Sequence, residues 1–211
     1  MRFYFATLLV LLALPGLAQN GSIEKVNTKF EKGTVTDNRR TGRWEYYDGA
    51  GRLELIMNYD SSRVAYMPAD TAHYIVWLDN AWNSIVPNRP PRMMASTVEY
   101  LLEAGKTIQI PQPQTEGRVV YSFVVNEQGR TEDLTVEEAM PTPFMEQTLR
   151  AFQKMPPQWI PAIARGRAVK TRCYFVVYFL KGSSSKLEKL SKSLPKLPKT
   201  YRSEIVVTAL R

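Results

Sequence analysis

Apolar positions change their period along the chain, and the changes divide it. Within 19–67, the run GTVTDNRRTGRWEYYDGAGRLELIMNYDSSRVAYM alternates apolar and polar residues around two turn clusters, TDNRRTG and DGAG. Alternation over short stretches predicts half-buried strands, and clustered Gly, Asn and Asp predict the turns between them. The expectation is a β-meander whose apolar face is built from Trp44, Tyr46, Leu53, Leu55 and Tyr59. Residues 68–94 lose the pattern. TAHYIVWLDNAWNSI allows a strand and a turn, and Pro87, Pro90 and Pro91 withhold the amide donors that regular structure needs. This stretch reads as a connector.

From 95 the period switches. Ser96-Thr97-Val98-Glu99 is a capping box that opens a short helix with Val98, Leu101 and Leu102 as its apolar stripe and Gly105 as its end. RVVYSFVVNEQGRTEDLTVEEA predicts a hairpin: Val119, Tyr121, Phe123 and Val125 alternate, NEQG turns, and Leu134 and Val136 return. MPTPFMEQTLRAFQKM predicts a helix with Thr142 as N-cap and Pro143 at its first position. Phe144, Met145, Leu149, Phe152 and Met155 supply its buried side, and Pro156-Pro157 stops it. AVKTRCYFVVYFL predicts a long strand with Val169, Thr171, Cys173, Phe175, Val177 and Phe179 on one face. The fold class expected for 95–180 is α+β, a small antiparallel sheet backed by helices.

The tail, 181–211, differs again. KGSSSKLEKLSKSLPKLPKTYR has linker composition. Leu187, Leu190 and Leu194 at i, i+3 and i+7 allow two helical turns against a surface, and a solvated basic linker is the alternative. The last residues, SEIVVTALR, favour a strand.

Charge sharpens this division. The 211 residues carry a net charge of +8, of which 181–211 hold eight Lys or Arg against two Glu. The folded part is therefore close to neutral, and the tail is suited to an anionic membrane surface. No RNA- or DNA-binding motif accompanies it, so nucleic acid is not an expected partner. At the other end, Arg2, the apolar run Phe3–Leu14 and Gly16-Leu17-Ala18 before Gln19 read as a signal peptide over 1–18. The competing reading, an uncleaved inner-membrane anchor, needs roughly 20 apolar residues, and Pro15 with Gly16 interrupt the run too early. The expected location is the periplasm.

Catalytic chemistry is sparse. There is one histidine, His73, and one cysteine, Cys173, which excludes an intramolecular disulfide and reads as a small core residue, with an intermolecular disulfide as the alternative. There is no Gly-rich phosphate loop and no metal-ligand spacing. The adjacent acid pairs Glu132-Asp133 and Glu137-Glu138 lie in a hairpin, where neighbours point to opposite faces. The expectation is a binding protein, not an enzyme, with no cofactor and no metal.

Two resemblances add to this reading. GRWEYYDGAGRLELIMNY resembles the MORN-like repeats of the bacterial antitoxin-type repeat family, which implies a hairpin platform over 19–67; an ordinary hairpin with aromatic cross-strand pairs predicts the same shape. GRVVYSFVVNEQGRTEDLTV, then Trp159, Pro161, Ala162 and Gly166, then YFVVYF, resemble the C-terminal domain of TonB, the energy transducer of Gram-negative outer-membrane transport. That resemblance implies a three-stranded antiparallel sheet whose last strand offers a free edge to a short receptor peptide, the TonB box, by strand addition. The corresponding positions here are Val169, Lys170, Thr171, Arg172, Cys173, Tyr174, Phe175, Val176, Val177, Tyr178 and Phe179. The implied partner is a TonB-dependent outer-membrane receptor or another envelope protein. The chain departs from the transducer in its single His73 and in lacking a long Pro-rich spacer, which points to a binding module without the motor coupling.

Glu204, Ile205, Val206, Val207, Thr208 and Ala209 in turn resemble the TonB box itself, as found in receptors that carry EVVVTAL. A flexible linker of about 23 residues has a root-mean-square span near 25 Å and an effective concentration on the order of mM. An edge that bound such peptides at roughly μM would then be occupied almost always by the chain's own copy or that of a neighbour. The alternative is that this segment is the closing strand of the domain. An envelope structural or adaptor protein built on the same fold is the rival function.

Overall fold

The computed structural model describes residues 22–112, 115–198, 200 and 202–209; the expected signal peptide at 1–18 lies outside them. Strands β1 (Ile23–Asn27), β2 (Glu31–Thr36), β3 (Arg39–Tyr47), β4 (Leu53–Asn58) and β5 (Arg63–Tyr66) form an antiparallel meander in chain order. Asp37 and Asn38, at φ 50° and 60°, make the two-residue turn between β2 and β3 whose twist suits a hairpin. Trp44, Tyr46, Leu55 and Met57 are buried on one face, with Tyr59 packed against them. Leu53 lies beyond a register shift at Tyr46–Tyr47 and is only half-buried, outside the face expected for it. Trp44 lies on the backbone of β2 because Gly33 has no side chain: a Cβ there would stand 2.2 Å from Trp44 Cδ2.

The segment expected as a connector contains a hairpin, β6 (Tyr74–Leu78) and β7 (Ala81–Ile85), turned at Asp79-Asn80 with φ 52° and 61°. After the short β8 (Arg92–Met93) comes α1 (Thr97–Lys106), then β9 (Gly117–Val125), β10 (Thr131–Glu138) and α2 (Thr142–Gln153). Two short strands, β11 (Trp159–Ile160) and β12 (Ala162–Ala164), lead through β13 (Arg167–Val169) to the long β14 (Thr171–Lys181). A 3-10 turn (Ser184–Lys186), α3 (Leu187–Ser193) and β15 (Arg202–Ala209) complete the order. Strands run β10-β9-β14-β6-β7 across the second sheet, and β15 also pairs with β14. The antiparallel trio β10-β9-β14 is the sheet that the family resemblance implies. Among the described residues it is extended to a six-stranded mixed sheet.

Helices α1 and α2 cover one face of this sheet. Val119, Tyr121, Phe123 and Val125 of β9 and Cys173, Phe175, Val177 and Phe179 of β14 are buried there with Phe144, Ala151 and Met155. Five local expectations shift. In α1 it is Tyr100 and Ala104 that are buried, whereas Leu102 is 51% exposed; the helix also runs past Gly105 to Lys106, with Thr107 as its C-cap. Ser96 does cap α1, accepting from the Glu99 amide at 3.1 Å. Helix α2 has Pro141, not Thr142, at its N-cap position, without a side-chain cap. On β10, Leu134 and Val136 face solvent. Finally, the strand expected over 168–180 breaks at Lys170, because β13 belongs to a separate hairpin with β12.

The meander docks through a polar knot. Arg40 Nη1 and Tyr59 Oη both donate to the Met94 carbonyl at 3.0 Å, and Arg40 Nη2 meets Glu31 Oε2 at 3.1 Å. The Arg40 guanidinium also stacks over the rings of Trp44 and Tyr46, 4.5 and 5.5 Å from their centroids. Burial raises the Glu31 pKa above the ordinary carboxylate value even though Arg40 pulls it down. Arg92 pairs with Glu54 across the same boundary.

Candidate functional site

Strand β14 is built as a central strand. Its alternate residues Cys173, Phe175, Val177 and Phe179 enter the helix-backed core, while Tyr174, Val176 and Tyr178 enter a second cluster on the opposite face. Apolar residues on both faces are what a strand covered on both sides requires. Cys173 is fully buried, and desolvation pushes its thiol pKa far up, so the reactive thiolate is suppressed.

One side of β14 pairs with β9 along Thr171–Phe179. Its other side, the edge singled out from the sequence, is shared between two strands of opposite direction. Thr171 and Arg172 pair antiparallel with Val76 and Ile75 of β6. From Tyr174 to Lys181 the partner is β15, in parallel: Tyr174 opposes Arg202, Val177 opposes Ile205, and Lys181 opposes Ala209. At the junction the Ile75 amide donates to Thr200 Oγ1 at 3.3 Å, which ties the end of the linker to β6. Of the remaining edge positions, Val169 lies in β13 and packs with Tyr74, Val76 and Ala162, and Lys170 pairs with Glu132 at 2.7 Å. The edge is therefore occupied by the protein's own strands.

Within the box-like segment, Ile205 is buried and Glu204, Val207 and Thr208 are half-buried; Ser203, just before it, is buried. Ile205 and Val207 join the helix-backed core, where Gly105 of α1 passes so close that a Cβ on it would stand 3.6 Å from Ile205 Cγ2. Val206, on the alternate face, is 36% exposed.

The chain between β14 and β15 crosses the other face of the sheet. Gly182, at φ 89°, turns it out of β14, and Leu187, Leu190, Leu194 and Leu197 pack on Val120, Tyr174, Val176 and Tyr178. The linker reading gives way here: a parallel pair needs a crossover of a dozen or more residues, and this one covers apolar surface that would otherwise face water. Arg118, 4% exposed, fastens it by donating through Nε to Glu138 Oε2 at 2.6 Å and through Nη2 to the Pro195 carbonyl at 2.5 Å. The hydrogen bond from Arg118 to Glu138 raises the guanidinium pKa further.

The family-motif residues lie at the other end of the sheet. Trp159 is buried against Phe123, with ring centroids 5.6 Å apart, and its amide donates to the Gly129 carbonyl at 2.8 Å. Pro161 separates β11 from β12, Ala162 is fully buried, and Arg165-Gly166, at φ 50° and 77°, turn β12 into β13. The structure brings these residues to the hairpin and β6, not to the β15 contact. The sequence allows a strand and a turn where β6 lies but gives no sign that β6 joins this edge, and Thr200 is missed altogether. The signal for β6 is the Asp79-Asn80 turn between two alternating runs, whereas Thr200 carries no local signal.

None of the curated proteins matches the chain. Residues 112–180, which span β9 through nearly all of β14 and leave α1 outside, match the family model described as Gram-negative bacterial TonB protein C-terminal.

Proposed function

We propose that this protein is an envelope binding module of the TonB type, associated with TonB-dependent transport. It recognises an extended peptide of an outer-membrane receptor, or of another envelope protein, by strand addition to β14. Its own β15 holds that edge until a partner strand replaces it. One observation carries the reading: a segment resembling a receptor box, Glu204–Ala209, lies on the edge of the strand that the family resemblance assigns to box binding. Main-chain pairing supplies affinity in such a mode, and pockets for alternate side chains supply selectivity. Ile205 and Val207 fill those positions here. The role is binding and not catalysis, and the MORN-like meander serves as a platform. No helix among the described residues is long and apolar enough to cross a membrane; the periplasmic location rests on the signal-like residues 1–18.

A second reading is favoured by the crossover. Its leucines and Arg118 fix the tail over the sheet, as expected of an adaptor whose edge stays closed. A chain ending at Pro198 separates the two, because it keeps the leucines and frees the edge. Titrated with the peptide EVVVTAL, it is expected to bind at roughly μM, with the full chain at least about tenfold weaker. Equal affinities, or no binding by a folded truncated chain, would leave the adaptor reading standing.

A further inference from the structure

A cavity of about 610 Å³ lies where the meander meets the loop before β8, the β9–β10 turn and β11. Its floor is apolar: Met57, Trp159 and Ile160 are all deeply buried. Its walls carry Arg63, Arg89 and Arg130, and none of the lining residues is acidic. Arg40, Arg43, Arg52, Arg92, Arg118 and Arg165 each meet a carboxylate. Among the described residues, Arg63, Arg89 and Arg130 form no ion pair with protein.

Arg89 is the most constrained of the three. Its main chain is bonded in both directions to Ile163, at 3.2 and 2.9 Å. Its Nη2 makes a long contact, 3.5 Å, with the Pro161 carbonyl, and its Nε is buried without a protein partner. Desolvation lowers its pKa, with no neighbouring carboxylate opposing that. Arg130 is held by a bridge to Gln158, whereas Arg63 sits at the start of β5 on the meander side.

We propose that this cavity binds a small organic anion, a carboxylate or phosphate monoester carried on an apolar body. The guanidinium groups of Arg63, Arg89 and Arg130 take the anionic head, and Met57, Trp159 and Ile160 take the body. The planar fork of arginine suits both head groups by paired N–H donation. The volume falls within the roughly 300–1,000 Å³ of small-ligand sites. The site is separate from the β14 edge, since no residue of β15 lines it.

The test titrates the full chain with 2-naphthoate, 2-naphthyl phosphate and the neutral 2-naphthalenemethanol, reading heat of binding and the Trp159 indole N–H signal in the ¹⁵N spectrum. Saturable binding of either anion that moves the Trp159 signal, with the neutral alcohol at least about tenfold weaker, is expected; whichever anion binds more tightly identifies the head group. Arg89→Gln is expected to lower the affinity by about tenfold or more. The double variant of the exposed Arg63→Gln and Arg130→Gln, which removes no ion pair, is expected to do the same while melting like the wild type. Equal binding of the alcohol, an unmoved Trp159 signal, or undiminished affinity in the folded double variant would overturn the proposal.

Discussion

Val177 of β14 and Ile205 of β15 are opposed in a parallel ladder, and both side chains are buried in the helix-backed core. The C-terminal strand therefore contributes to the domain's packing as well as to its edge. Ile205→Ala should cost about 2–3 kcal/mol in urea unfolding, as deletion of a buried aliphatic side chain does. Val206→Ala, at a position 36% exposed, should cost less than about 1 kcal/mol. Equal, negligible effects would mean that β15 is not docked in solution.

Hydrogen exchange reads the same contact by another route. Removing residues after Pro198 should speed exchange of amides in Tyr174–Lys181 that bond to β15, leaving those bonded to β9 protected. Uniform loss of protection across β14 would indicate that the sheet itself collapses without the strand.

Two glycines should be intolerant for different reasons. Gly129, at φ 73°, would place a Cβ 2.0 Å from the Trp159 carbonyl oxygen. Gly33 would drive one into the Trp44 ring. Either change to Ala should destabilise by about 3 kcal/mol or more, because backbone and a packed indole cannot yield cheaply. Gly42→Ala, with open space around it and only a positive φ, should cost about 1 kcal/mol. Thermal melts of the three variants give the ranking directly.

Arg40 links the meander to the segment after β8, and Glu31 is its partner. Arg40→Ala should cost about 3 kcal/mol, since it leaves Glu31 buried without its counter-charge. Arg40→Lys should recover only part of this, having no planar fork to meet Glu31 and the Met94 carbonyl together.

The raised pKa of Glu31 gives a pH signature. A carboxyl that holds its proton more tightly folded than unfolded favours folding below its unfolded pKa, and that contribution is lost as pH rises through the folded value. The stability of the wild type relative to Glu31→Gln should therefore fall as pH rises from about 4 through the raised value of Glu31. Denaturant midpoints of both proteins across that range check the sign; a difference that grew with pH would show that Arg40 outweighs burial.

Much of the fold is legible in the chain because alternation and capping are local. The β9–β10 hairpin turns at Asn126–Gly129, α2 stops before Pro156-Pro157, and Trp44 and Tyr46 share a face, each where the residues place them. Misreadings occurred where a local signal was ambiguous. In α1, Leu101 packs against the core as the stripe implies, but Leu102 faces solvent, and Tyr100, bonded to the Ala151 carbonyl, and Ala104 are the buried positions. Around β6 and β7 the residues allow only a strand and a turn before the Pro-rich stretch, which hides the second strand, and the crossover leucines suggest turns against a surface without showing which surface.

By itself the sequence determined that a hairpin, a helix and a long strand with an apolar face would make a small helix-backed sheet, and that the tail carries a box-like peptide. It could not determine what lies on the edge of β14. That depends on contacts over long separations, Ile75 with Thr200, Arg118 with Pro195 and Val177 with Ile205, which leave no periodic trace along the chain. Only the folded chain brings them together: four leucines cover the second sheet face, and covering it carries the last strand back to run parallel to β14. The same holds for the three arginines of the cavity, which lie far apart in sequence and become neighbours only when the meander docks.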